Sequence, residues 1–257
     1  MPELSLRLSV SKCKTYSDCQ KKYKFAYIDK LPQKEFIFHT FGKFLHKVLE
    51  DFHLEYINGS TEKFSTVMSK VFKSAKSEFK LSSEMQKEAY EIINAYLKKI
   101  SIEDGESKII AVEKKFDFAI TDRVILNGMI DRIQLDGDGI LHVADYKTTK
   151  NKKYLKNDFL QLLTYAYVIW SENQDIEKVR GSYVLLRHNF EYITKEFVKD
   201  EILEIKNKYE DYAKQIEEEQ LWRPNPTRLC EYCSYLDICK EGIAATRPKV
   251  SYGESSW

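Results

Sequence analysis

Residues 143–148 read Val-Ala-Asp-Tyr-Lys-Thr and close an apolar, strand-like run. In a β-strand, side chains two residues apart point to the same face, so Asp145 and Lys147 share a face with the apolar Leu141 and Val143. That face is expected to be buried, and a carboxylate or an ammonium group is costly to bury without partners. A charged pair in place of core residues therefore indicates a functional site.

A second carboxylate is predicted beside this pair. Asp131 lies in the preceding strand candidate, 123–135, and the Asp-Gly-Asp-Gly sequence at 136–139 is typical of a tight hairpin turn. A hairpin closed there brings Asp131 close to Asp145. Two neighbouring carboxylates repel unless a proton or a cation lies between them, and such oxygen ligands suit Mg²⁺ or Mn²⁺. The alternative is a structural ion pair beside an ordinary strand aspartate.

The order of predicted elements indicates an α+β fold. We expect a three-strand meander, a helix and a further strand, behind an N-terminal helical insertion at 41–101. Residues 1–242 are predicted to form one domain that includes a cysteine loop at 224–240, and an irregular tail is predicted at 243–257. Helices are predicted at 41–56, 61–80, 83–101, 157–172 and 198–220, and strands at 108–119, 123–135, 139–148, 179–187 and 190–196.

Composition limits the classes of function. The 257 residues include 41 Lys+Arg and 40 Asp+Glu, a net charge of +1, so binding to a polyanion must rest on local patches. No apolar run of about 18 residues and no signal-peptide pattern occur, which predicts a cytoplasmic protein without a membrane partner. The sequence also lacks the glycine-rich phosphate loop of nucleotide-driven motors.

Three of the five cysteines, Cys230, Cys233 and Cys239, lie in one short segment. An odd number of cysteines in an apparently cytosolic chain argues against disulfides and for metal ligation. A fourth ligand must then come from Cys13 or Cys19. Four thiolates suit zinc or an iron–sulfur cluster, although zinc sites more often use two closely spaced cysteine pairs. Five reduced core cysteines are the alternative.

Three further polar residues are weak indicators when each is taken alone. His46 lies one helical turn after Gly42, whose missing side chain permits close approach of another element. A lone histidine on a largely apolar helix is more often a core residue than a ligand. Gln161 and Tyr165 share a face of the helix that follows the lysine strand, which by itself indicates helix packing.

Together these residues resemble the RecB-like branch of the PD-(D/E)XK nuclease superfamily. Four segments occur in the family's order over about residues 5–242, namely Gly42–His46, Gly128–Asp131, Asp145–Thr148 and Gln161–Tyr165. The resemblance implies a restriction-endonuclease-like core and a Mg²⁺- or Mn²⁺-dependent deoxyribonuclease. Members of this kind include the nuclease domains of AddB and RecB and the CRISPR-associated nucleases that trim spacer precursors.

The resemblance also implies a role for each side chain. Lys147 would be the catalytic lysine, Gln161 would support the site, and Tyr165 would support the site or contact DNA. Glu113 is the weaker match among the implied ligands, and an ordinary surface glutamate is its alternative. The implied metal ligands are His46, Asp131, Asp145 and Glu113.

A [4Fe-4S] cluster that joins the two chain ends is implied in the same way. The segment 9–25 resembles the family's N-terminal signature, with Gln20 in place of the usual proline. This match assigns Cys19 as the ligand that completes the set of Cys230, Cys233 and Cys239, with zinc as the alternative metal. Cys13 would then be a spare thiol.

Lysines interleaved with tyrosines indicate a nucleic-acid partner. Such a pattern suits phosphate contacts and base stacking along a single strand, although solvated lysines are the alternative. One group, including Tyr16 and Tyr23, surrounds Cys19. The other group follows the lysine strand and comprises Lys150, Lys152, Lys153 and Tyr154.

We therefore expect a single-strand exonuclease of DNA repair, recombination or CRISPR adaptation, with a helicase or a CRISPR adaptation protein as possible partner. A non-catalytic nucleic-acid-binding or assembly module is the main alternative. The complete set of His46, Asp131, Asp145 and Lys147 argues against it, because a binding module has no need of buried metal ligands. A zinc-stabilised enzyme acting on RNA remains open, since nothing in the sequence separates DNA from RNA.

Overall fold

The computed structural model describes residues 5–34, 36–102, 107–155 and 158–247, and of residues 101, 102, 153 and 154 only the backbone. The described residues fall into two compact units within the span that was expected to form one domain. Unit 1 takes residues 5–10 and 36–213, and unit 2 takes residues 11–34 and 214–247.

Nine α-helices and six β-strands lie in the described part of the chain. The helices are α1 (Val10–Asp18), α2 (Gln20–Tyr23), α3 (Ile37–Ile57), α4 (Phe64–Glu78), α5 (Ser83–Ile102), α6 (Leu160–Glu172), α7 (Lys199–Leu203), α8 (Ile205–Glu218) and α9 (Lys240–Thr246). The strands are β1 (Leu6–Leu8), β2 (Ser107–Ala119), β3 (Val124–Asp136), β4 (Leu141–Lys147), β5 (Lys178–Leu185) and β6 (Glu191–Val198). No described helix has the length and apolar character needed to cross a membrane.

Unit 1 is built on a mixed sheet. The described strands pair in the order β1-β3-β4-β5-β6, and β2 also pairs with β3. The antiparallel strands β2, β3 and β4 form the predicted meander, while β1 runs parallel to β3 and β5 runs parallel to β4. The predicted α+β core is therefore confirmed.

The hairpin between β3 and β4 forms at the predicted turn. Gly139 has a φ of +79°, in the left-handed region that glycine adopts without steric cost. The register pairs Arg132 with Ala144. One step further along this register, Asp131 and Asp145 face each other across the two strands.

Helices α3, α4 and α5 form the predicted insertion and share one core with the sheet. Apolar residues recur along α3 at helical spacing, and this periodicity is what the sequence revealed. Helix α3 begins at Ile37, before the predicted start at Phe41. The sequence pattern did not reveal this first turn, because Ile37 and Phe38 are exposed and do not extend the buried stripe of the helix. The buried residues of α3 in this core are Phe41, Phe44, Leu45, Val48, Leu49 and Phe52.

Helix α6 packs closely on β5 at Gly181. A Cβ atom there would lie 2.8 Å from the Phe197 ring and 3.0 Å from the Cβ of Leu162 in α6. A side chain at this position would therefore push the helix away from the sheet. The glycine therefore sets how closely α6 approaches the sheet. It also sets the position of Gln161, which precedes Leu162 in that helix.

Several element boundaries differ from the sequence expectation. The short β1 was not predicted, since three residues carry no recognisable alternation. The helix predicted at 198–220 is divided at Glu204 into α7 and α8. Strand β5 ends at Leu185, because the chain then turns through Asn189 and Phe190, which both have positive φ.

The predicted irregular tail is wrong at its beginning. Residues 243–246 are the second half of α9, a helix of seven residues that is too short to show a periodic pattern. Gly242 lies buried inside this helix rather than after its end. The rest of the predicted tail, from residue 248, lies outside the described residues.

Unit 2 combines segments from both ends of the described chain. The ring of Tyr23 stacks on Trp222, with centroids 6.0 Å apart and planes 2° from parallel. The Lys21 ammonium forms an ion pair of 2.7 Å with Glu241. These contacts join residues 11–34 to residues 214–247 within one unit.

Candidate metal centre and active site

Three side chains of unit 1 bring their ligand atoms together. His46 from α3, Glu113 from β2 and Asp131 from β3 place these atoms within 4.8 Å of one another. The Nδ1 atom of His46 lies 3.5 Å from Asp131 Oδ2 and 3.9 Å from Glu113 Oε1. Among the described residues, no other set of three His, Cys, Asp or Glu side chains meets this spacing. One imidazole and two carboxylates form a donor set suited to a divalent cation.

Glu113 enters this group through an unusual backbone conformation. Its φ of +48° lies in the left-handed region, although it stands inside the long strand β2. For an L-residue this conformation costs about 1–2 kcal/mol. The β2–β3 register is the same on both sides of Glu113, so this residue stands opposite Asp131. Strain of this kind persists where the surrounding structure imposes it, often at functional sites.

His46 is oriented by the backbone of β4. Its Nε2 atom lies 3.1 Å from the carbonyl oxygen of Tyr146. Donation of the Nε2 proton to this carbonyl turns Nδ1 toward the carboxylates. A second partner on the distal nitrogen is the usual arrangement for a metal-binding histidine.

The electrostatics of the group reflect its excess of carboxylates. Burial by itself would lower the pKa of His46, but Asp131, Glu113 and Asp145 outweigh it and raise that pKa to about 9. Burial and the Asp145 carboxylate raise the pKa of Asp131 to about 7, although the Tyr146 amide donates to it at 2.7 Å. A cluster with these properties retains a proton or binds a cation.

Asp145 and Lys147 lie beside this group and are held by α6. The Lys147 Nζ atom is 2.6 Å from Asp145 Oδ2 and donates a 2.8 Å hydrogen bond to Gln161 Oε1. The amide nitrogen of Gln161 donates to Asp145 Oδ1 at 2.5 Å and to the Tyr165 hydroxyl at 2.8 Å. Gln161 therefore bridges the carboxylate and the ammonium group and fixes both.

One oxygen of Asp145 contacts the Lys147 ammonium group without a hydrogen bond of ordinary geometry. This oxygen, Asp145 Oδ2, is buried. Buried carboxylate oxygens are normally satisfied by hydrogen bonds. Asp145 also raises the pKa of both His46 and Asp131, which places it within electrostatic range of the ligand group. A divalent cation therefore fits the group of His46, Glu113 and Asp131, with the Asp145 carboxylate in electrostatic range of it.

Tyr165 has a different position from the one expected for a DNA contact. Its side chain is 4% exposed, and burial raises its pKa well above the ordinary value. A ring buried in this way cannot stack on a base. The expectation of a DNA contact is therefore corrected, and Tyr165 instead supports Gln161 and Asp145.

The residues of the lysine and tyrosine group that follows β4 differ in their surroundings. Lys150 is exposed, whereas Lys152 forms an ion pair of 2.5 Å with Glu191. The side chains of Lys153 and Tyr154 lie outside the described residues.

The tyrosines near Cys19 are not base-stacking residues. In unit 2, Tyr16 is 5% exposed and Tyr23 is 2% exposed. Both rings pack with Trp222. The expectation that these two tyrosines stack on bases is wrong, because their spacing among lysines does not reveal that they face a core.

The four cysteines expected to bind a cluster line a single cavity of unit 2. None of these cysteines is in a disulfide. Gly242 lies beside this cavity, since a Cβ atom there would make ordinary contacts with Cys239 Sγ at 3.5 Å and Cys230 Cβ at 3.6 Å. Cys13 is fully buried, and burial raises its thiol pKa to about 12, which disfavours the thiolate form that binds metal. The lining cysteines are Cys19, Cys230, Cys233 and Cys239.

Known proteins are similar to this chain in sequence and fold. Residues 7–240 match the family model of the PD-(D/E)XK nuclease superfamily. One subunit of the ATP-dependent helicase/deoxyribonuclease of three Streptococcus agalactiae strains is 31% identical over 186 residues. The match covers 67% of this chain and 17% of that relative, so the chain spans a small part of the relative's length. A solved structure of a Eubacterium rectale protein assigned as an exonuclease has a TM-score of 0.52 at 14% identity, covering 91% of this chain and 89% of that chain. At this identity, the likeness shows the fold alone.

Proposed function

The chain belongs to the PD-(D/E)XK nuclease superfamily, and we propose that it hydrolyses DNA phosphodiester bonds with Mg²⁺ or Mn²⁺. One observation carries the proposal. The ligand group of His46, Glu113 and Asp131 lies beside an ion pair of the buried Asp145 and the half-buried Lys147. A carboxylate-rich cation site next to a directed ammonium group is suited to the hydrolysis of a phosphate ester.

Each side chain has a distinct part in the proposed reaction. A divalent cation held by the ligand group and Asp145 would lower the pKa of a bound water and neutralise phosphate oxygens. The Lys147 ammonium supplies positive charge where the phosphate gathers negative charge in the transition state. Gln161 keeps that ammonium group directed by accepting one of its hydrogen bonds. Tyr146 orients both ligands from its backbone, through its carbonyl to His46 and its amide to Asp131.

The substrate and pathway extend this proposal. We propose that single-stranded DNA is degraded from an end, in the cytoplasm, during repair, recombination or CRISPR adaptation. The DNA substrate has support from the relative that is named as a subunit of a helicase/deoxyribonuclease. The same name supports a helicase as partner.

The cysteine cavity supports a second cofactor. We propose a structural [4Fe-4S] cluster on Cys19, Cys230, Cys233 and Cys239, which would join the two chain ends within unit 2. Zinc sites more often use two closely spaced cysteine pairs, and this sequence has one such pair, Cys230 and Cys233, which favours iron–sulfur over zinc.

Hydrolysis of end-labelled DNA with Mg²⁺, with Mn²⁺ or with chelator tests the nuclease proposal. We expect cleavage only with metal, and a loss of about 10²–10³ in rate for Asp145→Asn and for Lys147→Ala. Lys108→Ala, an exposed lysine on β2, is the matched control and should keep the parent rate. Thermal unfolding establishes that each variant is folded. Full activity in chelator, or in Asp145→Asn, contradicts the proposed site.

The same assay tests the end requirement. Linear single-stranded DNA should be degraded, whereas its circular form should resist. Equal rates on both forms contradict an exonuclease, and faster cutting of blunt duplex contradicts the single-strand preference.

A further inference from the structure

A continuous groove crosses the surface of unit 1 between α5 and the turn that follows β5. Two adjoining cavities share Glu91, Ala95 and Asn189, so they form one groove. Polar and aromatic side chains line it from both sides. Those from α5 include Lys87, Tyr90, Asn94, Lys98 and Lys99, and those from the opposite side are Lys150, Arg187, His188 and Asn189.

The groove begins next to the proposed catalytic lysine. Strands β4 and β5 are parallel, and Lys147 pairs with Leu185. The carboxyl ends of both strands therefore lie at the same end of the sheet. Lys150 follows Lys147 by three residues, and Arg187 follows Leu185 by two. Three Cα steps reach at most about 11 Å, so the Cα atom of Lys150 lies within that distance of the Cα atom of Lys147.

Arg187 holds the walls of the groove together. Its Nε atom donates to Glu88 of α5 at 2.6 Å, and its Nη1 atom donates to the carbonyl oxygen of Thr148 at 2.5 Å. The adjacent His188 ring lies 3.2 Å from the carbonyl oxygen of Thr149. One turn therefore ties the helix α5 to the loop that follows the catalytic strand.

The groove is basic in a chain that is almost neutral overall. Five lysine and arginine side chains line it, against two glutamates. One of these glutamates, Glu88, is already paired with Arg187. The whole chain has a net charge of +1, so this local excess is a property of the groove. Such a surface attracts a polyanion.

Tyr90 adds an aromatic ring to this surface. Its side chain is 60% exposed and lies on the same face of α5 as Lys87, Glu91, Asn94 and Lys98. Basic side chains with an exposed ring between them suit phosphates on either side of a stacked base. A ring can stack in this way only on a base that is unpaired.

On the basis of the proposed nuclease function, we propose that this groove binds a single-stranded stretch of the nucleic-acid substrate next to the scissile phosphate. Lys87, Lys98 and Lys150 contact phosphates, and Tyr90 stacks on a base. From Lys87 to Lys98 the helix rises about 16 Å. At about 3.4 Å for each nucleotide, this length accommodates roughly five nucleotides of a stacked strand.

Binding of a fluorescent oligothymidylate in chelator, followed as a function of salt, is the first test. Two lysine contacts account for about 1.4 in the slope of log affinity against log salt, so Lys87→Gln/Lys98→Gln should reduce the slope by that amount. Tyr90→Ala should weaken binding about 5- to 150-fold. The matched control, Lys108→Gln/Lys208→Gln, removes two exposed lysines elsewhere in unit 1 and should change neither quantity.

Hydrolysis separates this proposal from the nuclease proposal. The groove variants should raise KM for the long strand, with kcat unchanged and with the parent rate on a dinucleotide too short to reach α5. Parent-like binding and KM in the variants would overturn the groove while leaving the nuclease intact, and the groove would then suit an acidic protein surface instead. Loss of binding in the variants of a chain that cleaves nothing would support the groove and overturn the nuclease.

Discussion

Glu113 bears two energetic penalties that its neighbours in β2 do not bear. Its backbone has a φ of +48°, and its carboxylate lies beside that of Asp131. Neither feature helps a strand to form or to pack. Both are accounted for when the carboxylate faces His46 to complete a cation site. A left-handed residue inside a strand is therefore the clearest local sign of function in this chain.

The backbone strain at Glu113 predicts an inverted order of stability for two variants. Glycine inside a strand is ordinarily less stable than alanine by about 0.5–1 kcal/mol. Because the left-handed conformation costs an L-residue about 1–2 kcal/mol, Glu113→Gly should be more stable than Glu113→Ala by about 1 kcal/mol. The free energy of unfolding in urea measures this difference.

Lys115 provides the control for this prediction. It is an exposed residue of the same strand without a positive φ. Here Lys115→Gly should be less stable than Lys115→Ala, as at ordinary strand positions. A glycine variant that is less stable than the alanine variant at both positions would show that the backbone of Glu113 is not strained.

The site could be predicted from sequence wherever spacing alone fixes geometry. Asp145 and Lys147 share a strand face, and the hairpin places Asp131 opposite, so both inferences follow from local rules. Glu113 could not be found with the same certainty, because the direction of its side chain depends on a backbone φ that no sequence pattern specifies. Tyr165 shows the converse limit, since helical spacing gave its face but not its burial.

At the scale of elements, the position of α6 on the sheet decides where Gln161 lies. Helix α6 approaches β5 at Gly181, where the chain has no side chain to separate them. Leu162, the residue in contact, is adjacent to Gln161 in the helix. The packing of an apolar pair therefore sets the hydrogen bonds of Gln161 to Lys147 and Asp145.

Gly181→Ala should weaken both stability and activity. The new Cβ would meet Leu162 and Phe197 at distances that require a shift of the helix, and overpacking of this kind typically costs about 1–3 kcal/mol. The shift should withdraw Gln161 from the ion pair and lower kcat. Urea unfolding and the steady-state rate measure the two effects.

Gly42→Ala is the comparison for the stability effect. A Cβ at Gly42 would lie 3.5 Å from the Thr148 hydroxyl, an ordinary contact, and the position is helical. Alanine there should therefore be at least as stable as glycine. Parent-like stability and rate in Gly181→Ala would contradict the proposed dependence of the site on this contact.

Long elements with a clear period were predictable, and short ones were not. The helical insertion and the three-strand meander carry repeated apolar spacing over many residues. Strand β1 and helix α9 have three and seven residues, too few for a pattern, and they depend on tertiary contacts. Strand β1 runs along β3, and Gly242 of α9 is buried beside Leu236 and Cys239.

At the scale of the whole molecule, the two units do not follow one another along the chain. Unit 2 takes its residues from both ends of the described chain, while unit 1 takes most of its residues from the middle. A unit of this size has a small core of its own, and small units commonly depend on metals or disulfides. The proposed cluster would add metal–thiolate links between these two segments, which already contact each other through Tyr23 with Trp222 and Lys21 with Glu241.

The cysteine arrangement predicts that unit 2 depends on iron. Protein purified without oxygen should be brown and contain about four irons per chain, as expected of thiolate-bound clusters. Cys19→Ala and Cys230→Ala should each lose iron and colour, because one ligand comes from each end of the chain. Cys13→Ala should keep both, since this buried thiol lies outside the cavity lining.

Loss of the cluster should also expose residues 11–34 and 214–247 to proteolysis, because the energy of metal binding contributes directly to folding. Stoichiometric zinc without iron, or full iron content in Cys19→Ala, would rule out this ligand set.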